Sequence, residues 1–256
     1  MKYKGFLSMN FNFKDTISLA ITLYKRAFKI TFVLSFMLSF LSEFSFVYLM
    51  NHGMADYIKN SKDFDISQLP SGDVISIMFF TLVVSTLFVY AMIMILQGIM
   101  FKKELNISDA LKIALQIFAK KIFPFIGVFL LSVIAMSLFT IFLQYLGICL
   151  GVLLFLTVMP AVLLSQKGVF EAISHNFAII RSNFFYSLRV TLFIFCLMVV
   201  KPLITFGLIY LLKNLGIEMN SLEMSVQNII VTVVDAFILP FIFAVSVATF
   251  FITSSK

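Results

Sequence analysis

Charge is what this sequence has least of. Only 12% of its 256 residues are Asp, Glu, Lys or Arg, against roughly 25% in soluble domains. With 61% hydrophobic residues, that scarcity excludes an ordinary soluble fold. Cysteine is almost missing: Cys149 and Cys196 stand singly in apolar runs without CxxC spacing, so they read as small packing residues and carry no redox information. Chemistry-bearing motifs are missing too. There is no HExxH, GxSxG or P-loop, no clustered His and Cys, and no pair of carboxylates at catalytic spacing. No catalytic residue, metal ligand or cofactor is assigned, and the sequence reads as a non-enzyme. The start, MKYKGFLSMNFNFKDT, shows no apolar stretch with a cleavage site, so the first span is expected to act as an uncleaved targeting signal.

What fills the chain instead is uninterrupted apolar sequence. About 20 apolar residues span a hydrocarbon core of about 30 Å. From Ile122 to Gln166 the only ionisable side chains are Tyr145 and Cys149, a run long enough for a helical hairpin. Runs such as Phe79–Leu96 do not alternate as the strands of a membrane barrel would. The expected fold is therefore an all-α membrane protein with six spans: Ile30–Met50, Val74–Phe101, Ile122–Tyr145, Leu146–Ser165, Phe184–Leu212 and Val226–Ile252. The 33 Phe and 14 Met read as lipid-facing and packing residues.

The net charge of +7 comes from residues that flank these spans, so it points to membrane topology rather than nucleic acid. Fifteen of the nineteen Lys and Arg fall on one side of the implied membrane, Lys2, Lys4 and Lys256 among them. Lys59, Lys62 and Lys213 fall on the other, and Lys201 lies within a span. The positive-inside rule then places both termini in the cytoplasm. The largest outer loop, Asn51–Asp73, carries Asp56, Asp63, Asp65 and Asp73 and is not assigned as helix throughout.

One stretch sets the plan of the chain. Met159–Phe184 joins the end of a span to a turn at Gln166-Lys167-Gly168 and then to an amphipathic segment. Aligning Asp15, Asp109 and Glu171 reveals the same plan three times: an acid, a bulky apolar residue nine positions on (Tyr24, Phe118, Ile180), a base (Lys25 and Arg26; Lys120 and Lys121; Arg181), then a span. Ile17, Ala20, Ile21, Tyr24, Ala27 and Phe28 form the apolar face of the first copy. Asp109, Lys112, Gln116 and Lys120 form the polar stripe of the second; Glu171, Ser174, His175, Arg181 and Ser182 form that of the third. An acid at the start and a base at the end suit the helix dipole, and Ser108 is the expected N-cap of the second copy. Each copy is expected to lie in the membrane interface before turning into its span. The chain reads as a single integral membrane domain, 1–256, of three repeats (about 13–101, 107–165 and 169–252), each an interfacial helix plus a helical hairpin.

Leu146–Phe184 carries a further signal: a glycine-containing turn at Leu146-Gly147, a span ending in Met159-Pro160-Ala161, the Lys167-Gly168 turn, and Glu171-Ala172 opening an amphipathic helix. In these features the chain resembles the YciC-like bacterial inner-membrane proteins, relatives of the membrane domain of some glycerophosphodiester phosphodiesterases. The family commonly has Pro-Gly where this chain has Leu146-Gly147, and often a serine at the position of His175. The resemblance implies a bacterial inner-membrane location and a six-helix fold. It supplies no catalytic residues.

The candidate site residues are few. Lys201 and Asp235 fall near the middle of spans five and six, Lys201 twelve residues from Arg189 and Lys213, Asp235 twelve past Glu223. Adjacent antiparallel helices would bring them to similar depth, where a lone charge costs about 2.5–3.5 kcal/mol. Two readings stand: an ion pair that fixes packing, or a solute or proton site. Glu43, among Ser35, Ser39, Ser42 and Ser45, and Gln97 read as polar helix–helix contacts. His175 reads as a headgroup-facing or solvated histidine, with His52 on the opposite side. Lys25, Arg26, Lys29, Lys120, Lys121, Arg181 and Arg189 are the candidate contacts to lipid headgroups, if the repeats pack together. The expected partners are membrane lipids, with a membrane-protein partner or a second copy of the chain also open, and no nucleic acid.

Overall fold

The computed structural model describes residues 12–54, 70–103, 105–216 and 226–254. Lys2 and Lys4, most of the loop carrying Asp56, Lys59, Lys62, Asp63 and Asp65, and Glu223 and Lys256 lie outside the described residues. All regular structure among the described residues is helical. Six helical segments are long and apolar enough to cross a membrane, and the fold is that of an all-α, multi-pass membrane protein. The reason is thermodynamic: without water, each backbone N–H and C=O must find its partner within the segment, and a helix achieves that locally.

In chain order the helices are α1 (Phe13–Leu49), α2 (Gly72–Lys102), α3 (Ile107–Leu143), α4 (Tyr145–Phe155), α5 (Val158–Leu164), α6 (Val169–Ser182), α7 (Phe184–Asn214) and α8 (Val226–Ser254). A short π turn, Met50–Met54, extends α1, and Gly53 closes it at φ 94°. The long helices α2, α7 and α8 match the expected second, fifth and sixth spans to within a few residues.

Three expectations need correction. First, the amphipathic segments of copies one and two do not turn into their spans. Phe13–Leu49 and Ile107–Leu143 are each one helix of 37 residues, or about 55 Å at about 1.5 Å per residue. Nothing in either junction stops a helix except Pro124, which α3 accommodates in its interior. Only copy three has a separate amphipathic helix, α6, which ends at Asn183 with non-helical backbone (φ −143°, ψ 56°). Second, Asn106 caps α3 in place of Ser108: its Oδ1 accepts the Asp109 N–H at 2.8 Å, because the helix starts at Ile107. Third, span four is two helices, α4 and α5, for a reason given below.

The residues fall into two compact units. Among the described residues, the first holds 12–31, 90–103, 105–200 and 238–254. Its core includes Val128, Val158, Ala161, Val162, Ala172 and Phe250, which draws α3, α5, α6 and α8 together. The first copy of the amphipathic pattern also packs here, on a face one position away from the expected one. Thr16, Leu19, Ala20, Leu23 and Ala27 are buried while Ile21 is 40% exposed. Thr16 explains the offset: its hydroxyl lies 2.8 Å from the hydroxyl of buried Tyr186 on α7, and that pair sets the rotation of α1. The α3–α4 hairpin closes at Gln144, which adopts φ 50°, a conformation that costs a non-glycine residue on the order of 1–3 kcal/mol. Gly147 makes the tight return feasible, since a Cβ there would strike the Phe139 carbonyl.

Among the described residues, the second unit holds 32–54, 70–89, 201–216 and 226–237. Phe32 meets Phe237 at 4.9 Å between ring centroids and stacks along α1 with Phe36 and then Phe40. Ser35, Ser39 and Ser45 are buried in this part of α1.

Candidate functional site

The interruption of span four is the most heavily bonded polar feature of the first unit. Pro160 stands in the first turn of α5. A proline has no N–H to give, and its ring crowds the carbonyl four residues back, which is that of Leu156. Ser246 of α8 satisfies that carbonyl with its hydroxyl. One residue on, Asn176 of α6 stands in for a missing turn of helix. Its Nδ2 donates to Leu153 O (3.2 Å) and Leu154 O (2.7 Å), and its Oδ1 accepts the Thr157 N–H (3.2 Å) and hydroxyl (2.8 Å). Asn176 and Thr157 are both buried. One side-chain amide thus replaces a backbone pairing that a continuous helix would make for itself. Beside this break lies an apolar cavity of about 210 Å³, walled in part by Met94, Met136, Phe155, Met159 and Met198.

A second cavity, of about 300 Å³, opens at the Lys102 end of α2. Lys102, Lys120 and Lys121 line it together with Ser165 and Gln166, while Gly98, Ile99, Ile117, Leu163 and Leu164 form apolar walls. Gly98 matters to its shape, since a Cβ there would come within 2.6 Å of the Leu164 side chain. The ammonium of Lys102 sits 5.2 Å from the centre of the Phe251 ring. The sequence does not single out Lys102 or Ser165, and marks Gln166 only as part of a turn, because α2, α3 and α5 bring these residues together only on packing.

The seven candidate headgroup residues fare differently. Lys25, Lys29, Lys120, Arg181 and Arg189 are exposed, and Lys121 is half-buried. Arg26 is exposed but engaged by the protein itself: its guanidinium donates to Phe101 O at 3.0 Å and lies over the Phe101 ring. It satisfies a carbonyl in the last turn of α2. Only Lys120 and Lys121 of the seven line the basic cavity.

In the second unit, Lys201 Nζ lies 2.7 Å from Asp235 Oδ1. The contact is a close ion pair out of hydrogen-bond alignment, since the same buried oxygen has no hydrogen-bond donor. It is the only ion pair among the described residues. Glu43 of α1 is close enough to interact electrostatically with both partners. The reading of Glu43 as a serine-bonded contact missed this, because nothing in the sequence fixes the rotation of α1 against the helices that carry the pair. Two carboxylates and one ammonium leave this cluster with a formal excess of one negative charge.

Gln97, fully buried, donates from Nε2 to Pro240 O at 2.7 Å. His175 Nε2 lies 3.3 Å from Ser254 Oγ. Burial, and then the charge of Lys167, push the imidazole below its ordinary pKa. Burial also lowers the Lys167 ammonium, while Glu171 acts in the opposite sense. Glu171 itself accepts the Gly168 N–H at 3.0 Å, which anchors the start of α6. No group of three or more His, Cys, Asp and Glu placed to hold a metal occurs among the described residues. Comparison with family models, curated proteins and solved structures finds no match for this chain.

Proposed function

We propose that this chain is a non-enzymatic protein of the bacterial inner membrane that engages anionic membrane lipid, with both termini in the cytoplasm. One observation carries the reading. Lys25 and Lys29 of α1 and Lys120 and Lys121 of α3 come just before the apolar stretches of their helices, Arg181 lies in the last turn of α6 and Arg189 in the second turn of α7, and none pairs with a carboxylate among the described residues. Basic side chains near a membrane surface attract anionic headgroups by about 1 kcal/mol each. The fifteen-to-three asymmetry of Lys and Arg supports the orientation, and the YciC-like resemblance of Leu146–Phe184 supports the location. The test is quantitative lipidomics of separated inner and outer membranes from a strain lacking the chain and from one complemented with it. A reproducible shift in one lipid class, reversed by complementation, is expected. Identical profiles would refute the reading.

A second reading rests on the Glu43, Lys201 and Asp235 cluster, which is consistent with a solute or proton path and a transport role. With Cys149 and Cys196 replaced by alanine, single cysteines placed along α7 and α8 around Lys201 and Asp235 would then react with a membrane-impermeant thiol reagent. A silent scan would exclude a water-filled path there.

A further inference from the structure

The cavity between the Lys102 end of α2, Lys120 and Lys121 of α3, and the end of α5 has the chemistry of an amphiphile site. Lys102, Lys120 and Lys121 line it together with the apolar side chains of Ile99, Ile117 and Leu164. Lys120 and Lys121 carry no carboxylate partner among the described residues. They are adjacent in sequence, immediately before the apolar part of α3, so they are held at the boundary where charge gives way to hydrocarbon-facing side chains. Lys102 is placed by the Phe251 ring. A volume of about 300 Å³ admits more than a lone water or ion. A soluble polyanion would leave the apolar wall unused, and an uncharged lipid would leave Lys120 and Lys121 uncompensated. A phosphate group joined to an apolar body satisfies both sides.

We propose that this cavity binds the phosphate group of an anionic phospholipid, with Lys120 and Lys121 as counter-charges and the isoleucine–leucine wall against the glycerol–acyl junction. This deepens the lipid-engaging reading by naming one site and one ligand class. The two can fail separately, because the lipidomic comparison reads the role of the whole chain and the following experiment reads this cavity alone.

The test uses the full chain in detergent micelles and native mass spectrometry. The probes are phosphatidylglycerol, the uncharged-headgroup lipid diacylglycerol, and inorganic phosphate as competitor. One phosphatidylglycerol should bind in preference to diacylglycerol. The Lys120→Gln/Lys121→Gln variant should bind it about thirtyfold more weakly, at roughly fivefold per lysine near an anionic group. The Lys112→Gln/Lys213→Gln variant, with the same change in net charge at exposed lysines outside both the cavity and the lipid-engaging set, should bind as the unmodified chain does. Thermal unfolding of both variants establishes that they are folded. If the Lys120/Lys121 variant does not fold, Ile117→Glu places a carboxylate on the cavity wall and should weaken binding to a similar degree. Equal losses in both double variants, or no loss in either, would overturn the site. Displacement of the lipid by millimolar inorganic phosphate, or phosphate binding without lipid binding, would overturn the lipid as the source of the phosphate.

Discussion

Replacing Asn176 should be among the most damaging single polar substitutions in the chain. Its amide makes four hydrogen bonds across the interruption of span four. In Asn176→Ala, the Leu153 and Leu154 carbonyls and the Thr157 N–H lose this partner in a buried setting. In water-soluble proteins each such orphan costs about 1–3 kcal/mol. Within membranes, measured hydrogen bonds between helices average only about 0.6 kcal/mol. Four bonds at the lower figure give roughly 2–3 kcal/mol, which is the expected loss of stability. Asn176→Leu preserves volume and should be no better, which separates the lost bonds from a packing void. Ser246→Ala removes one bond and should cost roughly 1 kcal/mol or less. Equilibrium unfolding in mixed detergent–dodecyl sulfate micelles measures these differences. Because Thr157 shares the network, Asn176→Ala combined with Thr157→Ala should cost less than the sum of the two. An Asn176→Ala protein within about 0.5 kcal/mol of the unmodified chain, the range of an ordinary surface change, would refute the claim that this amide replaces helical backbone pairing.

Other outcomes follow from the charged residues. Lys201→Ala and Asp235→Ala should each lower folded yield, since an unpaired charge within a span costs about 2.5–3.5 kcal/mol. The double variant should recover part of the loss, whereas additive losses measured by size-exclusion yield would count against direct pairing. His175 has a lowered pKa in the folded chain, so the unfolded chain binds its proton more readily. Its contribution is therefore unfavourable in acid: stability should fall as pH drops from about 6.5, the unfolded value, toward the lower folded value, with no effect above that window. His175→Gln should flatten this part of a stability–pH profile, and an unchanged slope would contradict the assignment.

The spans were legible because lipid leaves the backbone few choices, and apolar length alone locates α2, α7 and α8. The α3–α4 hairpin was legible for the same reason: the run from Ile122 to Gln166 is too long for one crossing. The break in span four was harder, yet a signal existed. Pro160 stands four residues after Leu156, and that carbonyl cannot keep its helical donor. What no local pattern revealed was the remedy, because Asn176 and Ser246 reach the break from other helices. The same limit applies to α1. Its periodicity pointed to the Ile17, Ala20, Ile21, Tyr24 face, and the bond between Thr16 and Tyr186, distant in sequence, turns the buried face by one position. Lys120 and Lys121 were visible as a basic pair before a span, but Lys102, Ser165 and Gln166 became their neighbours only through packing of α2, α3 and α5. Glu43 was visible as a charge in a span, and its nearness to Lys201 and Asp235 was not.

The most direct measurement is of the lipid that leaves the membrane with the protein. The chain would be extracted with its surrounding bilayer in styrene–maleic acid discs, and the phospholipid classes in the discs compared with those of the parent membrane. The account predicts enrichment of anionic phospholipid around the unmodified chain, with a marked reduction when Lys25, Lys29, Lys120, Lys121, Arg181 and Arg189 are replaced by glutamine. Discs with the composition of the bulk membrane, unchanged by those replacements, would contradict it.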